Sequence, residues 1–177
     1  GTMKELSLNL LDIAENSVKA GATLTQLLLT EEDGVLTFQV VDDGCGMTEE
    51  VLRGVTDPFY TTRTTRAVGL GLPLLRMAAE QTEGTMEVAS KHKDTYPTDH
   101  GTTVTAVFHT DHIDCPPLGD LTATVTTLIQ GHPDTDFLFR HRLPDGRVVE
   151  LDTRQLREIL GDVSLAEFEV LQWISGF

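Results

Sequence analysis

The stretch Val40-Val41-Asp42-Asp43-Gly44-Cys45-Gly46-Met47 decides how the rest of the chain is read. A run of β-branched residues ends abruptly in Asp-x-Gly-x-Gly, the pattern of a buried strand running into a tight turn. Two glycines without Cβ let the backbone turn sharply and approach a ligand closely. A carboxylate at the strand end, Asp42, can accept a hydrogen bond from the amino group of adenine, which separates adenine from guanine. Taken alone, strand–Asp-Gly–turn is common and carries no chemistry.

Upstream lies a helical pattern over residues 4–20. Leu6, Leu10, Ile13, Ala14 and Val18 recur at helical spacing, and Gly21 supplies a stop. Its polar stripe, Asn9, Asp12 and Asn16, shares one face. An amide oxygen suits Mg²⁺ that already carries triphosphate oxygens, and a carboxylate one turn earlier can orient a nucleophile. The competing explanation is the solvated face of an amphipathic helix. Strands are expected at Leu24–Thr30 and Val35–Val41, joined by Glu31-Glu32-Asp33-Gly34.

Downstream, Asp42 to about Gly69 is glycine-rich with few helix signals. Gly69-Leu70-Gly71-Leu72 then opens a helix expected over Leu70–Thr82, and a helix N-terminus with unobstructed N–H groups forms a phosphate site. The run 58–79 holds no Asp or Glu but includes Arg63, Arg66 and Arg76, in a chain with 28 carboxylates. An anionic ligand is one account; arginines pairing with acidic surface elsewhere is the other. Strands at Thr85–Ser90 and Thr102–Phe108 follow.

Asp114-Cys115-Pro116-Pro117 interrupts regular structure. Beyond it the pattern reads as a helix near Leu121–Ile129 (though its threonines favour strand), then a hairpin, Phe137–Leu143 and Arg147–Leu151, around Pro144-Asp145-Gly146. Helices at Thr153–Leu160 and Leu165–Ile174 follow, the latter opened by the capping box Ser164-Leu165-Ala166-Glu167. The expected division is residues 3–113, then a small α+β unit over 114–177. Gly1-Thr2 ahead of Met3 reads as an added tag.

Order and spacing together resemble the GHKL ATPase superfamily over roughly residues 4–110. Glu15-Asn16-Ser17-Val18-Lys19-Ala20-Gly21-Ala22-Thr23 looks like the MutL-type N box, and Asp57-Pro58-Phe59-Tyr60-Thr61-Thr62-Arg63 like the histidine-kinase F box. The resemblance implies an α+β two-layer sandwich, the Bergerat ATP-binding fold, with helices on one face of a mixed sheet. It implies ATP and Mg²⁺ as cofactors, Asn16 as metal ligand, Asp42 as adenine reader and Thr102 as its support. Gly44 and Gly46 make room for the base, flanked by Met47 and Phe59. Gly69, Leu70, Gly71 and Leu72 shape the phosphate loop, and Arg63 and Arg66 belong to a lid. Asp12 falls where hydrolysing members carry a longer Glu, and Ala67 where kinases often carry Gly. No helical pair with a phospho-accepting histidine precedes residue 4, so a complete sensor kinase is not expected; the layout is similar to stand-alone anti-sigma-factor kinases.

The expected function is therefore regulatory ATP binding, with slow ATPase or protein (Ser/His) kinase activity on a protein partner. A non-catalytic nucleotide sensor is the alternative. A net charge of −15 argues against nucleic acid and anionic lipid as partners, and with them MutL-like DNA transactions. No apolar run is long enough to span a membrane and no leader is evident. Cys45 and Cys115 lack metal-ligand spacing and read as free thiols in a reducing cytoplasm. A homodimer is compatible with the pattern.

Overall fold

The computed structural model describes residues 5–56 and 71–175. Helix α1 spans Leu6–Lys19, and its buried face, Leu6, Leu10, Ile13, Ala14 and Ser17, keeps the helical period. Its N-cap residue, Glu5, makes no side-chain capping bond. Instead Leu6 N and Ser7 N donate to the carbonyls of Pro117 and Leu118 at 2.9 and 2.8 Å, so the proline segment satisfies the helix's orphan donors. At its end Gly21 N bonds Val18 O at 2.9 Å and Ala22 N bonds Ser17 O at 3.2 Å, a Schellman-type stop.

Strands β1 (Leu24–Glu32) and β2 (Val35–Asp42) form a hairpin closed on Asp33-Gly34, both at positive φ. A helix follows where none was expected: α2, Glu49–Thr56, whose first turn is acidic and is preceded by Thr48, which accepts from Val51 N at 3.3 Å. Then come α3 (Gly71–Gln81), β3 (Thr85–Lys91) and β4 (Gly101–His109), close to the expected bounds.

Residues 121–131 are helical, as α4, despite their threonines. Asp120 caps the first turn through Ala123 N at 3.0 Å, and buried Thr124 gives its hydroxyl to Ser7 O at 3.1 Å. Strands β5 (Asp136–Arg142) and β6 (Val148–Asp152) form the hairpin read around Gly146, followed by α5 (Thr153–Leu160) and α6 (Phe168–Ser175). Helix α6 starts three residues later than the capping box suggested, because Ser164 caps a turn at Ala166 N and Glu167 N.

Among the described residues, six strands form one sheet in the order β3-β4-β2-β1-β5-β6. Every pairing is antiparallel except β1 with β5, so residues 114–177 continue the sheet of the first part through a parallel ladder, Leu24↔Asp136 to Thr30↔Arg142. One face is apolar and carries the helices: Leu27, Leu29, Phe38, Val40, Val104, Phe108, Phe137 and Phe139 join Leu10, Leu75, Leu128 and Ile174 in one buried cluster. Phe38 and Phe108 meet edge to face, their centroids 6.5 Å apart. Arg157 fastens α5 beneath β5, donating to Asp136 Oδ1 and to the carbonyls of Pro133 and Thr135 at 2.7–3.0 Å. Among the described residues, no helix is long and apolar enough to cross a membrane.

Candidate functional site

A cleft opens where the C-terminal half of α1 leaves the end of β2. Ile13, Ala20, Met47, Leu72 and Val104 give it apolar walls, and Asn16, Ser17, Asp42 and Thr102 its polar atoms. Six of the residues singled out in the sequence thus reach one cavity: Asn16, Asp42, Gly46, Met47, Leu72 and Thr102. They come from α1, β2, the loop after it, α3 and β4.

Asp42 is held from two sides. Ser17 Oγ donates to Oδ2 at 2.7 Å, and Gly44 N–H donates to Oδ1 at 2.9 Å. Burial pushes the Asp42 carboxyl above its ordinary range; the hydrogen bonds from Ser17, Gly44 and the Thr102 backbone pull it partly back, and neighbouring Asp43 adds to the rise. Asp43 itself turns away. Its burial is outweighed by bonds from the Thr23 hydroxyl and from the N–H groups of Leu24 and Thr23, which hold it below the usual carboxylate value. Two adjacent carboxylates therefore do different work: Asp43 ties the start of β1, and Asp42 faces the cleft.

The loop over Asp42 is tightly drawn. Gly46, at φ +74°, lies so close to β3 that a Cβ there would sit 2.0 Å from Lys91 O. Gly101 is similarly constrained, a Cβ falling 2.1 Å from Asp42 O. Cys45 N bonds Ala20 O at 2.9 Å, Lys93 N bonds Cys45 O at 2.8 Å, and the His100 ring meets Gly44 O. Ser90 closes the rim, accepting from Met47 N at 2.7 Å and sharing a 2.8 Å bond with Thr102 Oγ1. Gly44 packs against Ala20.

Gly71, the first residue of α3, rests against α1: a Cβ there would lie 3.6 Å from Asp12 Cβ and 3.7 Å from Asn16 Nδ2. The positive end of α3 therefore adjoins Asn16 and Asp12. Asp12 is exposed and Asn16 half-buried. Phe59, Arg63, Arg66, Gly69 and Leu70 lie outside the described residues. Arg76 faces elsewhere, bonding Glu80 at 2.8 Å and the Thr56 carbonyl at the end of α2. Sequence reading passed over Ser17, Asp43 and Ser90, although Ser17 directly follows Asn16.

The arrangement offers an acceptor at the base of an apolar slot and an amide side chain, Asn16, beside a helix N-terminus, which suits a flat amino-bearing base joined to an anionic, metal-bearing tail. Among the described residues no group of three or more His, Cys, Asp or Glu side chains is placed to hold a metal by itself. A cation at Asn16 would thus need oxygens from the ligand and from water, as Mg²⁺ bound to a triphosphate has.

Comparisons with known proteins bear on the fold and on the family. Sporulation kinase A of Bacillus subtilis is 32% identical over 88 residues, covering 50% of this chain and 14% of that protein. Sensor protein KdpD of Clostridium acetobutylicum is 29% identical over 94 residues, covering 50% of this chain and 10% of its own length. The chain thus spans only a small part of these relatives. Among solved structures, the Aquifex aeolicus MutL ATPase domain complexed with ADP superposes with a TM-score of 0.51 at 13% identity, covering 84% of this chain and 65% of that one. The N-terminal domain of a DNA repair protein gives 0.53 at 15% identity, covering 83% and 52%. At such identities the structural likeness concerns the fold. Residues 2–112 match the family described as histidine kinase-, DNA gyrase B-, and HSP90-like ATPase, and the chain belongs to that family.

Proposed function

We infer that this chain binds Mg·ATP in the cleft between α1 and the β2–β4 strand ends and acts on a protein partner as a slow ATPase or protein kinase. The observation that carries this reading is Asp42, a half-buried carboxylate fixed by Ser17 and Gly44 at the floor of an apolar slot. In this reading Asp42 accepts from the adenine amino group and Thr102 supports the base, while Gly44, Gly46 and Met47 shape its slot. Asn16 gives its amide oxygen to Mg²⁺, and Gly71 and Leu72 bring the N–H groups of α3 toward the phosphates. Phe59, Gly69, Leu70 and the lid arginines Arg63 and Arg66 are assigned from sequence. Bound Mg²⁺ supplies charge neutralisation for the phosphate oxygens. Asp12 orients the acceptor. Cytoplasmic residence and a homodimer fit the composition and belong to the same proposal.

Asp12 also favours a second reading. Its short side chain lies at the exposed edge of α1, which suits a nucleotide sensor that switches a protein interface without turnover.

Calorimetric titration with Mg·ATP tests the assignment. Asp42→Asn is expected to weaken binding at least tenfold, since Gly44 N–H requires oxygen on its side and so turns the new amide NH₂ toward the adenine amino group. Asp12→Asn should bind within about twofold of the parent yet release no γ-phosphate. Equal affinity in all three proteins refutes the roles, and tight binding without turnover in the parent selects the sensor.

A further inference from the structure

Ser17 has no helix to cap and no solvent to face. It is 3% exposed, on the face of α1 shared with Leu10, Ile13 and Ala14. Its hydroxyl carries one proton and has two acceptors in range, Asp42 Oδ2 at 2.7 Å and Ile13 O at 3.4 Å. At those distances the proton belongs to the carboxylate. With Gly44 N–H on Oδ1 and a further bond from the Thr102 backbone, both carboxylate oxygens are engaged, the plane of the group is fixed, and any lone pair left toward the cleft can only accept.

A competing donor lies behind it. Thr25 of β1 is the register partner of Asp42, is fully buried, and its hydroxyl has no partner. Cross-strand partners hold their side chains about 5 Å apart. A carboxylate released by Ser17 can therefore turn toward Thr25 and out of the geometry that Ser17 sets, where an unmet buried hydroxyl rewards it.

We propose that Ser17 is the positioning residue for base recognition: its hydroxyl holds Asp42 as an acceptor-only edge in the cleft, and so sets the preference for a purine bearing an amino group at C6. This rests on the assignment of Asp42 as the base reader.

A thermodynamic cycle tests it, reading the coupling between the Ser17 hydroxyl and the C6 amino group. Dissociation constants are measured for Mg·ATP and for Mg·purine riboside triphosphate, which lacks that amino group, with the parent, Ser17→Ala, Ser17→Thr and Asp42→Asn. The parent should bind the amino-less nucleotide about tenfold more weakly than ATP. In Ser17→Ala that ratio should fall below about threefold, and Ser17→Thr, which keeps the hydroxyl, should restore it. A purely structural role for Ser17 would weaken both nucleotides alike and leave the ratio at the parent value, which overturns the proposal. If Asp42→Asn abolishes the ratio while Ser17→Ala retains it, only the role of Ser17 falls. If the parent binds neither nucleotide, or does not distinguish them, the reading of Asp42 falls and this inference with it.

Discussion

Replacing Gly46 by alanine tests how firmly the loop over the cleft is fixed. The residue sits at φ +74°, where an L side chain costs about 1–2 kcal/mol. The new Cβ would lie 2.0 Å from Lys91 O and 2.6 Å from Lys91 C, contacts that backbone must relieve by moving about 1 Å. Lys91 cannot yield alone, because it is paired to Gly101 at the end of the β3–β4 ladder. The loop must therefore lift, straining the bond of Met47 N to Ser90 Oγ at 2.7 Å and that of Lys93 N to Cys45 O at 2.8 Å, each worth about 1 kcal/mol. Summed with the backbone term, Gly46→Ala should cost about 2–4 kcal/mol and lower Tm by roughly 5–15 °C. Thermal unfolding followed by circular dichroism measures this directly. The lifted wall also carries Met47 away from Asp42, so Mg·ATP should raise the variant's Tm less than the parent's. A Tm within about 2 °C of the parent, with the ligand-induced rise intact, would show that the loop is not clamped and refute the reasoning.

Two further outcomes follow from the same structure. Burial raises the folded-state pKa of Asp42, so the favourable contribution of its protonated form is present below the unfolded pKa and lost as pH rises through the folded value; Asp42→Asn should therefore be the more stable protein at neutral pH, with the gap closing on acidification, and denaturant melts showing a pH-independent gap, or a less stable Asn variant, contradict this. Phe137 is 1% exposed in β5, so Phe137→Ala should cost about 3–5 kcal/mol and still unfold in one step with the rest of the sheet; two resolved calorimetric transitions would show that residues 114–177 melt separately.

The parts of the fold legible in the sequence are those governed by neighbouring residues. Alternation in Leu24–Glu32 and Val35–Asp42 marks the central hairpin, and the spacing of Leu6, Leu10 and Ile13 marks α1. The helix at Glu49–Thr56 was hidden by the glycines before it, although Thr48, Glu49 and Glu50 form a helix-start signal. Threonines in Leu121–Gly131 point to strand by propensity, but Thr124 spends its hydroxyl on Ser7 O and burial decides the element. The parallel joining of β5 to β1 left no local trace, since strand adjacency across more than a hundred positions has no signature in composition or period. At the site, Asn16, Asp42 and Gly46 were conspicuous because their residue types are unusual where they stand. Ser17 was not: a small polar residue inside an amphipathic helix looks the same whether it faces water or a carboxylate.

The parallel ladder between β1 and β5 bears on how the polypeptide is made. Leu24–Thr30 leave the ribosome long before Asp136–Arg142, and until the later segment emerges one flank of a leucine-rich strand shows its bare amides and carbonyls. A fragment ended at the family boundary near residue 112 would keep that flank uncovered and invite self-association, whereas Asp136–Arg142 cover it once they emerge.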